Sequence, residues 1–359
     1  MDMSALLRLG RTALPIVATL LPIASIAGVL AFAGSTLGYD FRAYHAAAAR
    51  VLDGQPLYDL GFEAAGGFGL FYYPPLFAPF ILPFGLLAES TAVVVWVGVL
   101  LALFGLGVAI LPVARVVRWW IVLLAGLSWP FLYAVKLGQV GPILFLLFAI
   151  GWRWLADPTR VGASVAIGTA VKLQPAILFL WALLTRRWAA VVTGLVALGV
   201  LGVVATLLVG VTAWTDFVQL VRQVADPITT PHNVTPGAVA FQLGAPTEVA
   251  TAVQWASVVA VLAAIVAATR WATDESSYLV AVIASQLLSP VLWDHYAMLL
   301  LLPVAWLCSR GHWWAALIPV STALALVGIT PPIAYPLGFV VALVATLAVG
   351  IRARRIEAR

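Results

Sequence analysis

The sequence predicts an all-α integral membrane protein, a polytopic bundle of about twelve transmembrane helices. Of its 359 residues, 64% are hydrophobic and only 9% are charged, and the mean hydropathy is +1.08. A soluble domain is about a quarter charged and half apolar, so these charges are too few to cover a globule of this size. The alternating segments of about ten residues that form membrane β-barrels do not occur in the sequence.

The same composition excludes several other classes of protein. The sequence pI is about 9.6, but the basic residues are scattered singly or in pairs between apolar runs, which is typical of topology signals rather than a nucleic-acid interface. The single cysteine, Cys308, excludes internal disulfides and a cysteine-based metal cluster. No Walker A loop, zincin pattern or nucleophile elbow occurs in the sequence.

Twelve apolar runs define the crossings of one transmembrane domain covering residues 1–359. They are residues 14–34, 91–111, 119–135, 141–155, 161–171, 174–184, 188–211, 249–269, 278–290, 296–308, 313–329 and 333–350. A transmembrane helix uses about 20 apolar residues, so runs 161–171 and 174–184 are each too short to span. One interpretation is a single helix kinked at Pro175. The other is a pair of short helices that meet inside the membrane.

The distribution of basic residues favours the broken pair. With a cytoplasmic N-terminus and a broken pair over residues 161–184, most of the 19 basic residues lie in inner loops and both termini are cytoplasmic. Only Arg42, Arg50, Lys136, Lys172 and Arg222 remain outside. A single span would place the C-terminal arginine cluster outside, against the positive-inside rule.

Two long segments lie on the predicted outer side, residues 35–90 and 212–248, and function is therefore expected there. From Phe41 onward the apolar residues recur at helical spacing, which predicts an amphipathic helix on the outer membrane surface, closed by Asp53-Gly54. Asp40 is at the predicted N-cap, and capping could be its whole task. It also falls where the first span leaves the membrane, a position suited to a general base.

Lys172 is the most informative single residue. Lys136 lies in a predicted outer turn, where snorkelling explains a lysine, but apolar residues extend about ten deep on both sides of Lys172. An ionisable residue inside a membrane is a functional hypothesis by default. A broken helix also presents free backbone N–H groups and a positive dipole end. We therefore predict a phosphate site at Lys172.

Other polar residues stand out on the outer side. The second outer segment carries Arg222, His232 and Asn233, and a histidine in a polar loop is most often simply solvated. Asp294 and His295 follow each other between apolar runs, which is costly unless the pair is used or partnered. A helix-capping aspartate beside an interfacial histidine is the alternative for this pair.

Taken in order, a set of short motifs resembles glycosyltransferase family 87. They are Asp40, Gly54-Gln55-Pro56-Leu57-Tyr58, Tyr73-Pro74-Pro75-Leu76, Gly138-Gln139, Lys172-Leu173-Gln174-Pro175 and Ser289-Pro290 through His295. That family belongs to the GT-C class of integral membrane glycosyltransferases, so the resemblance implies a GT-C-like helical bundle. It also implies a polyprenyl-phosphate-mannose-dependent mannosyltransferase with the first-loop aspartate, here Asp40, as catalytic base.

The residue pattern and the resemblance together suggest roles for the outer-side residues. Asp40 would remove the proton from an acceptor hydroxyl in a single inverting displacement, and Lys172, helped by Lys136 or Arg222, would stabilise the leaving polyprenyl phosphate. Substrate binding is expected from Tyr73, Gln139, Gln174, His232, Asn233, Asp294 and His295. The expected partners are a polyprenyl-phosphate sugar donor, a glycolipid or glycan acceptor and the lipids of the plasma membrane, with the active site on the outer face and no nucleic acid.

A secondary transporter or a lipid-linked-sugar flippase is the alternative function. Transporters also use broken helices and intramembrane ions, and a flippase would share the lipid groove and the phosphate site. The long outer segment with its surface helix favours the enzyme, whereas an inverted repeat would favour the transporter. Asp40, Asp294 and His295 could share a metal, but no ligand spacing demands one, so neither a metal nor another cofactor is predicted.

Overall fold

The computed structural model describes residues 3–61, 70–223, 226–323 and 333–358, and within these ranges it is built from helices and contains no strand. Helices of about four turns or more are α1 (Met3–Ala33), α2 (Tyr39–Leu52), α4 (Glu89–Ile110), α5 (Arg115–Leu127), α7 (Gly141–Arg153), α8 (Pro158–Val171), α10 (Trp188–Val209), α13 (Thr247–Trp271), α14 (Asp274–Leu287) and α17 (Ala334–Glu357). Shorter ones are α3 (Ala78–Ile81), α6 (Trp129–Leu137), α9 (Ile177–Leu184), α11 (Thr212–Gln223), α12 (Pro236–Gln242), α15 (Leu301–Ser309) and α16 (Leu317–Ala323). The predicted all-α membrane class is confirmed.

Five of the described helices, α1, α4, α10, α13 and α17, are long and apolar enough to cross a membrane. Helices α5 and α6 together form a sixth apolar unit, bent by 67° at their junction. The other predicted runs form shorter helices, and the end of run 313–329 lies outside the described residues. The chain is therefore a multi-pass membrane protein in which five or six helices, rather than twelve, meet the length of a span.

The predicted break at Lys172 is confirmed. Helix α8 begins with the Asp157 carboxylate accepting hydrogen bonds from two backbone N–H groups, and it ends at Val171. Lys172 is extended, with φ −156° and ψ 137°, and a 3-10 turn over Gln174–Ala176 leads into α9. Because an extended residue interrupts the helical hydrogen bonding, the chain forms two helices here rather than one kinked helix.

The predicted amphipathic helix is present as α2, but its apolar face packs on protein rather than on the membrane surface. Phe41 stacks on Trp96 of α4 with ring centroids 5.0 Å apart, and it meets Phe84 edge-on at 5.7 Å. Tyr44, one turn further on, is buried and meets Phe77 edge-on at 5.6 Å. The segment that supplies Phe77 and Phe84 is a run of short 3-10 and α turns and not a regular span.

The predicted N-cap role of Asp40 is wrong. The N-cap of α2 is Gly38, which has φ +68°, and no side chain caps the helix. The Gly38 N–H donates to the carbonyl of Lys136 at 2.7 Å, so a distant turn satisfies this backbone group. A side chain at Gly38 would also meet Val93 at 2.8 Å. Asp40 consequently lies in the first turn of α2 with its carboxylate free for another task. Helix α2 ends where predicted: Asp53 is its C-cap residue, and Gly54 follows in the left-handed backbone conformation.

Candidate active site

Two glycine turns hold the Asp40 carboxylate beside Gln139. Gly138, with φ +73°, ends α6, and a side chain there would meet the Cβ of Phe41 at 2.7 Å. Trp96 fixes the same turn, because its Nε1 donates to the Gly138 carbonyl at 2.7 Å. The turn directs Gln139 back toward α2, where its Nε2 donates to Asp40 Oδ2.

A relay of hydrogen bonds leads from the buried first segment to this carboxylate. The Tyr44 hydroxyl donates to the Tyr73 hydroxyl at 2.6 Å, and the Tyr73 hydroxyl donates to Gln139 Oε1 at 2.9 Å. Burial raises the pKa of both tyrosines, so both stay protonated and continue to donate. Each hydrogen bond of this relay is donated in the direction of Asp40. No described residue donates a hydrogen bond to the other carboxylate oxygen of Asp40, Oδ1. That oxygen is available to accept a proton.

Lys172 faces Tyr73 from the break between α8 and α9. Its Nζ lies 3.8 Å from the ring centroid of Tyr296 and 5.6 Å from that of Tyr73. Asp40 is close enough for its charge to act on Lys172, yet no carboxylate in the described chain lies within ion-pair distance of the ammonium. Tyr73 thus joins the acid to the cation. We call Asp40, Tyr73, Gln139 and Lys172 the Asp40 cluster.

Gln174 also faces this region. Its side chain lies against the hydroxyl of Tyr296, while its Oε1 is buried and has no hydrogen-bond partner in the described chain. A buried polar atom without a partner is uncommon in a native protein, and a bound ligand is one physical reason for it. Gln174 is therefore placed, like Lys172, at the cationic side of the cluster.

Asp294 and His295 lie next to the cluster, at the start of a 3-10 turn. Asp294 Oδ2 accepts from Trp129 Nε1 at 3.3 Å, and its Oδ1 accepts from the His295 backbone N–H at 2.7 Å. The His295 side chain is 4% exposed, and neither ring nitrogen has a hydrogen-bond partner in the described chain. Its ring lies 4.8 Å from that of Tyr296 and 6.3 Å from that of Tyr133. His295 therefore lies between two groups of residues. We call the group of Lys172 and Tyr296 the cationic neighbourhood and the group around Tyr133 the aromatic neighbourhood.

Lys136 belongs to the aromatic neighbourhood rather than to the cationic one. Its Nζ lies 5.6 Å from the ring centroid of Tyr133, one turn earlier on α6. Its carbonyl holds the Gly38 N–H, so its backbone positions α2 as well. The two lysines of the sequence thus lie on different sides of the site.

Within the described residues, no hydrogen bond, ion pair or ring contact joins Arg222, His232 or Asn233 of the second outer segment to the Asp40 cluster. Arg222 lies on the exposed face of α11 beside a groove of about 630 Å³ that Trp214, Val218 and Gln219 also line. His232 is exposed and has φ +60°, an unusual conformation for a residue other than glycine.

Asn233, by contrast, is fully buried, and all four of its side-chain hydrogen bonds go to backbone. Its Nδ2 donates to the carbonyls of Pro227 at 2.7 Å and Pro290 at 3.2 Å. Its Oδ1 accepts from the N–H groups of Thr235 at 3.0 Å and Leu292 at 2.9 Å. Asn233 therefore fastens the second outer segment to the stretch just before Asp294.

Four aromatic residues of the site were missed from the sequence: Tyr44, Trp129, Tyr133 and Tyr296. Trp129, Tyr133 and Lys136 follow the helical spacing i, i+4, i+7, which could have placed them on one face of α6. Tyr44 and Tyr296 had no comparable signal, because aromatic residues are frequent throughout this apolar chain. No group of three or more His, Cys, Asp or Glu side chains suited to a metal occurs in the described residues.

Comparisons with known proteins bear on this site. The model of glycosyltransferase family 87 matches residues 71–293. A polyprenol-phosphate-mannose-dependent alpha-(1-2)-phosphatidylinositol mannoside mannosyltransferase of Mycobacterium tuberculosis is 34% identical over 199 residues, which cover 49% of this chain and 46% of the relative. The match thus spans about half the length of that relative. No solved structure matches the chain.

Proposed function

Because the chain belongs to glycosyltransferase family 87, we propose that it transfers a mannosyl residue from a polyprenyl-phosphate carrier to a glycolipid or glycan. The name of the mycobacterial relative supports both the donor and a lipid-linked mannoside as acceptor. The proposal includes a GT-C-like arrangement of twelve crossings in the plasma membrane. Both termini are then cytoplasmic, and Asp40 works on the outer face, where no nucleotide-sugar pool exists and the sugar must arrive on a lipid.

The observation that carries the proposal is the Asp40 cluster. The Asp40 carboxylate has one open oxygen, and the Lys172 ammonium has no carboxylate partner in the described chain. Both groups contact the hydrogen-bonded pair of Tyr73 and Gln139. These four residues come from four segments far apart in sequence. An anionic leaving group requires a cation, and a hydroxyl nucleophile requires a base, and the cluster offers one of each.

In this mechanism Asp40 Oδ1 accepts the proton of an acceptor hydroxyl while Gln139 holds Oδ2. The hydroxyl oxygen forms a bond to the anomeric carbon of the donor sugar as the bond from that carbon to the phosphate oxygen breaks. The electron pair of the broken bond leaves with the polyprenyl phosphate, and the anomeric configuration inverts. Lys172 stabilises the negative charge on the departing phosphate.

The remaining predicted ligands take positions around these two groups. Gln174 shares the cationic side with Lys172, and its open Oε1 would accept a hydrogen bond from a hydroxyl of the donor sugar. His295 lies between the two neighbourhoods with both ring nitrogens unpartnered, so it would hydrogen-bond the transferred sugar. Arg222 and His232 are exposed and form no hydrogen bond or ion pair with the Asp40 cluster in the described chain, so Lys172 is the phosphate ligand that the proposal depends on.

Substitution of the base tests the proposal most directly. Asp40→Asn keeps the size of the side chain but removes the basic carboxylate, so we expect transfer to fall about 100- to 10,000-fold. The rate is measured in detergent with radiolabelled polyprenyl-phosphate mannose and phosphatidylinositol mannoside. Asp53→Asn, an exposed aspartate at the other end of α2, is the matched control and should transfer at the wild-type rate. Wild-type transfer by the Asp40→Asn protein would remove Asp40 from the mechanism.

The same assay separates the enzyme from the transporter and the flippase. In detergent there are no compartments, so a transporter or a flippase would yield no new glycosidic bond. A labelled product in which the mannose carries the opposite anomeric configuration to the donor supports the inverting enzyme. An unchanged donor in the presence of several mannoside acceptors would instead favour the lipid-linked-sugar flippase.

A further inference from the structure

One face of α6 is open where the rest of that helix is buried. Pro130, Phe131, Leu132, Ala134, Val135 and Leu137 are all buried. Trp129, Tyr133 and Lys136 are partly exposed and recur at i, i+4 and i+7, so they share one face of the helix. The rings of Trp129 and Tyr133 stack with centroids 4.8 Å apart and an angle of 14° between their planes. The open face therefore carries a stacked pair of aromatic rings and ends in an ammonium.

This face is turned toward polar groups and not toward lipid. Asp294 accepts a hydrogen bond from Trp129 Nε1 at 3.3 Å, and its side chain is 26% exposed. The face also ends beside the segment of Asp40, because the carbonyl of Lys136 accepts a hydrogen bond at 2.7 Å from the N–H of Gly38, two residues before Asp40. A carboxylate is expensive in hydrocarbon, so a surface that carries the partly exposed Asp294 does not face lipid. The face consequently has a polar edge at Asp294 and ends beside the segment that holds Asp40.

The chemistry of transfer requires two binding regions around Asp40. In an inverting displacement the nucleophile and the leaving group occupy opposite faces of the anomeric carbon. If the phosphate lies at Lys172, the acceptor must approach from another side of Asp40. Lys172 contacts Tyr73 and Tyr296, whereas the open α6 face lies beyond His295.

We infer that Trp129 and Tyr133, with Asp294 at their edge, bind the sugar ring of the acceptor and present its hydroxyl to Asp40. This inference rests on the proposed transferase function and specifies its acceptor subsite. The apolar C–H face of a pyranose covers an aromatic ring, while the sugar hydroxyls require acceptors at the rim. Asp294 provides these, because each of its oxygens is used once and a carboxylate can accept about four hydrogen bonds.

The inference predicts a separation between acceptor and donor kinetics. Trp129→Leu and Tyr133→Leu remove the aromatic face, so we expect each to raise the KM for phosphatidylinositol mannoside about three- to tenfold, with the donor KM unchanged. Trp129→Phe keeps a ring but loses the hydrogen bond to Asp294 and should have a smaller effect. Trp120→Leu is the matched control, since Trp120 is partly exposed and contacts Trp313, away from the site.

A binding measurement keeps the inference testable apart from activity. Saturation-transfer-difference NMR with octyl α-mannoside, irradiating the aromatic protons of the protein, reports which ligand protons lie against aromatic rings. We expect the sugar C–H protons to receive saturation in the wild type and in Trp120→Leu, and to lose most of it in Trp129→Leu and Tyr133→Leu. Unfolding temperatures equal to wild type ensure that a loss reflects binding and not misfolding.

Two results would overturn the inference, and neither is the failure of the proposed function. One is sugar saturation that is absent in the wild type or unchanged in both leucine variants. The other is a donor KM that rises as much as the acceptor KM. If the wild type transfers no mannose at all, the proposed function fails instead, and the NMR result alone decides whether this face binds a sugar.

Discussion

The Asp40 cluster and the second outer segment both concentrate polar residues on the predicted outer side, but they use them in opposite ways. In and around the cluster the polar groups are partly buried and incompletely paired: Lys172 has no carboxylate partner in the described chain, and neither ring nitrogen of His295 has a hydrogen bond there, with Nδ1 3.6 Å from Asp294 Oδ1. In the second segment Asn233 is buried with every hydrogen bond made, and Arg222 lies in the open.

This difference shows which polar residues are available to a ligand. Desolvating a charge or a hydrogen-bonding group costs free energy unless a partner compensates for it. A saturated group such as Asn233 has recovered that cost within the protein and therefore stabilises the fold. An unsaturated group such as Lys172 recovers only part of it, because its ammonium lies 3.8 Å from the ring centroid of Tyr296 but has no anionic partner in the described chain. We therefore propose that ligands bind in the incompletely paired region, while the saturated region holds that region in place.

The largest effect in this comparison is expected at Lys172. Lys172→Gln removes the cation that stabilises the leaving phosphate, so we expect the rate of mannosyl transfer to fall about 100- to 1,000-fold. The unfolding temperature should stay near that of the wild type, because no ion pair is lost. Lys172→Arg retains the charge and should recover part of the rate. A severe loss of stability in Lys172→Gln with normal turnover would reverse the contrast and make Lys172 a structural residue.

A smaller effect on turnover and a larger effect on stability are expected at Asn233. Asn233→Asp keeps the shape but turns two donated hydrogen bonds into a carboxylate facing the carbonyls of Pro227 and Pro290. Leaving such buried groups unpaired costs about 1–3 kcal/mol each, so the unfolding temperature should fall by several degrees. Substrate KM values should change by less than about threefold.

Thr229→Ala is the control for Asn233, because Thr229 is an exposed polar residue of the same loop. It should change neither stability nor turnover. If Asn233→Asp left the unfolding temperature unchanged while the donor or acceptor KM rose strongly, Asn233 would belong to the binding region after all, as its sequence position first suggested.

Much of this architecture could be predicted from the sequence, since hydropathy gives the helices and the scarcity of charge limits the candidates. The distribution of basic residues predicted the helix break, which the structure has at Lys172, and the apolar runs around Lys172 predicted a phosphate site there. Asp40 was singled out for its place but assigned a wrong local role. Its N-cap task is taken by Gly38, whose N–H is held by Lys136, and such a contact between distant segments leaves no local signal.

The aromatic residues were harder to predict for a different reason. Periodicity identifies a helix face but does not say whether lipid, protein or a polar space covers it. Tyr133 became a site residue only when the fold brought His295 near it. The burial of Asn233 was equally hard to predict, because a polar side chain in a polar loop gives no sign that it will be fully buried and saturated.

The smallest effect is expected at Arg222, the cation that the sequence grouped with the two lysines. Arg222 lies on the exposed face of α11 and forms no ion pair or hydrogen bond in the described chain. The interactions of an exposed charge are screened by salt, so Arg222→Gln should change the transfer rate by less than about twofold at physiological salt. Measuring the donor KM at low and high salt sharpens the comparison, because a steering role for Arg222 would appear only at low salt. A loss as large as that of Lys172→Gln, and independent of salt, would mean that α11 closes over the phosphate during catalysis, and the second outer segment would then belong to the site.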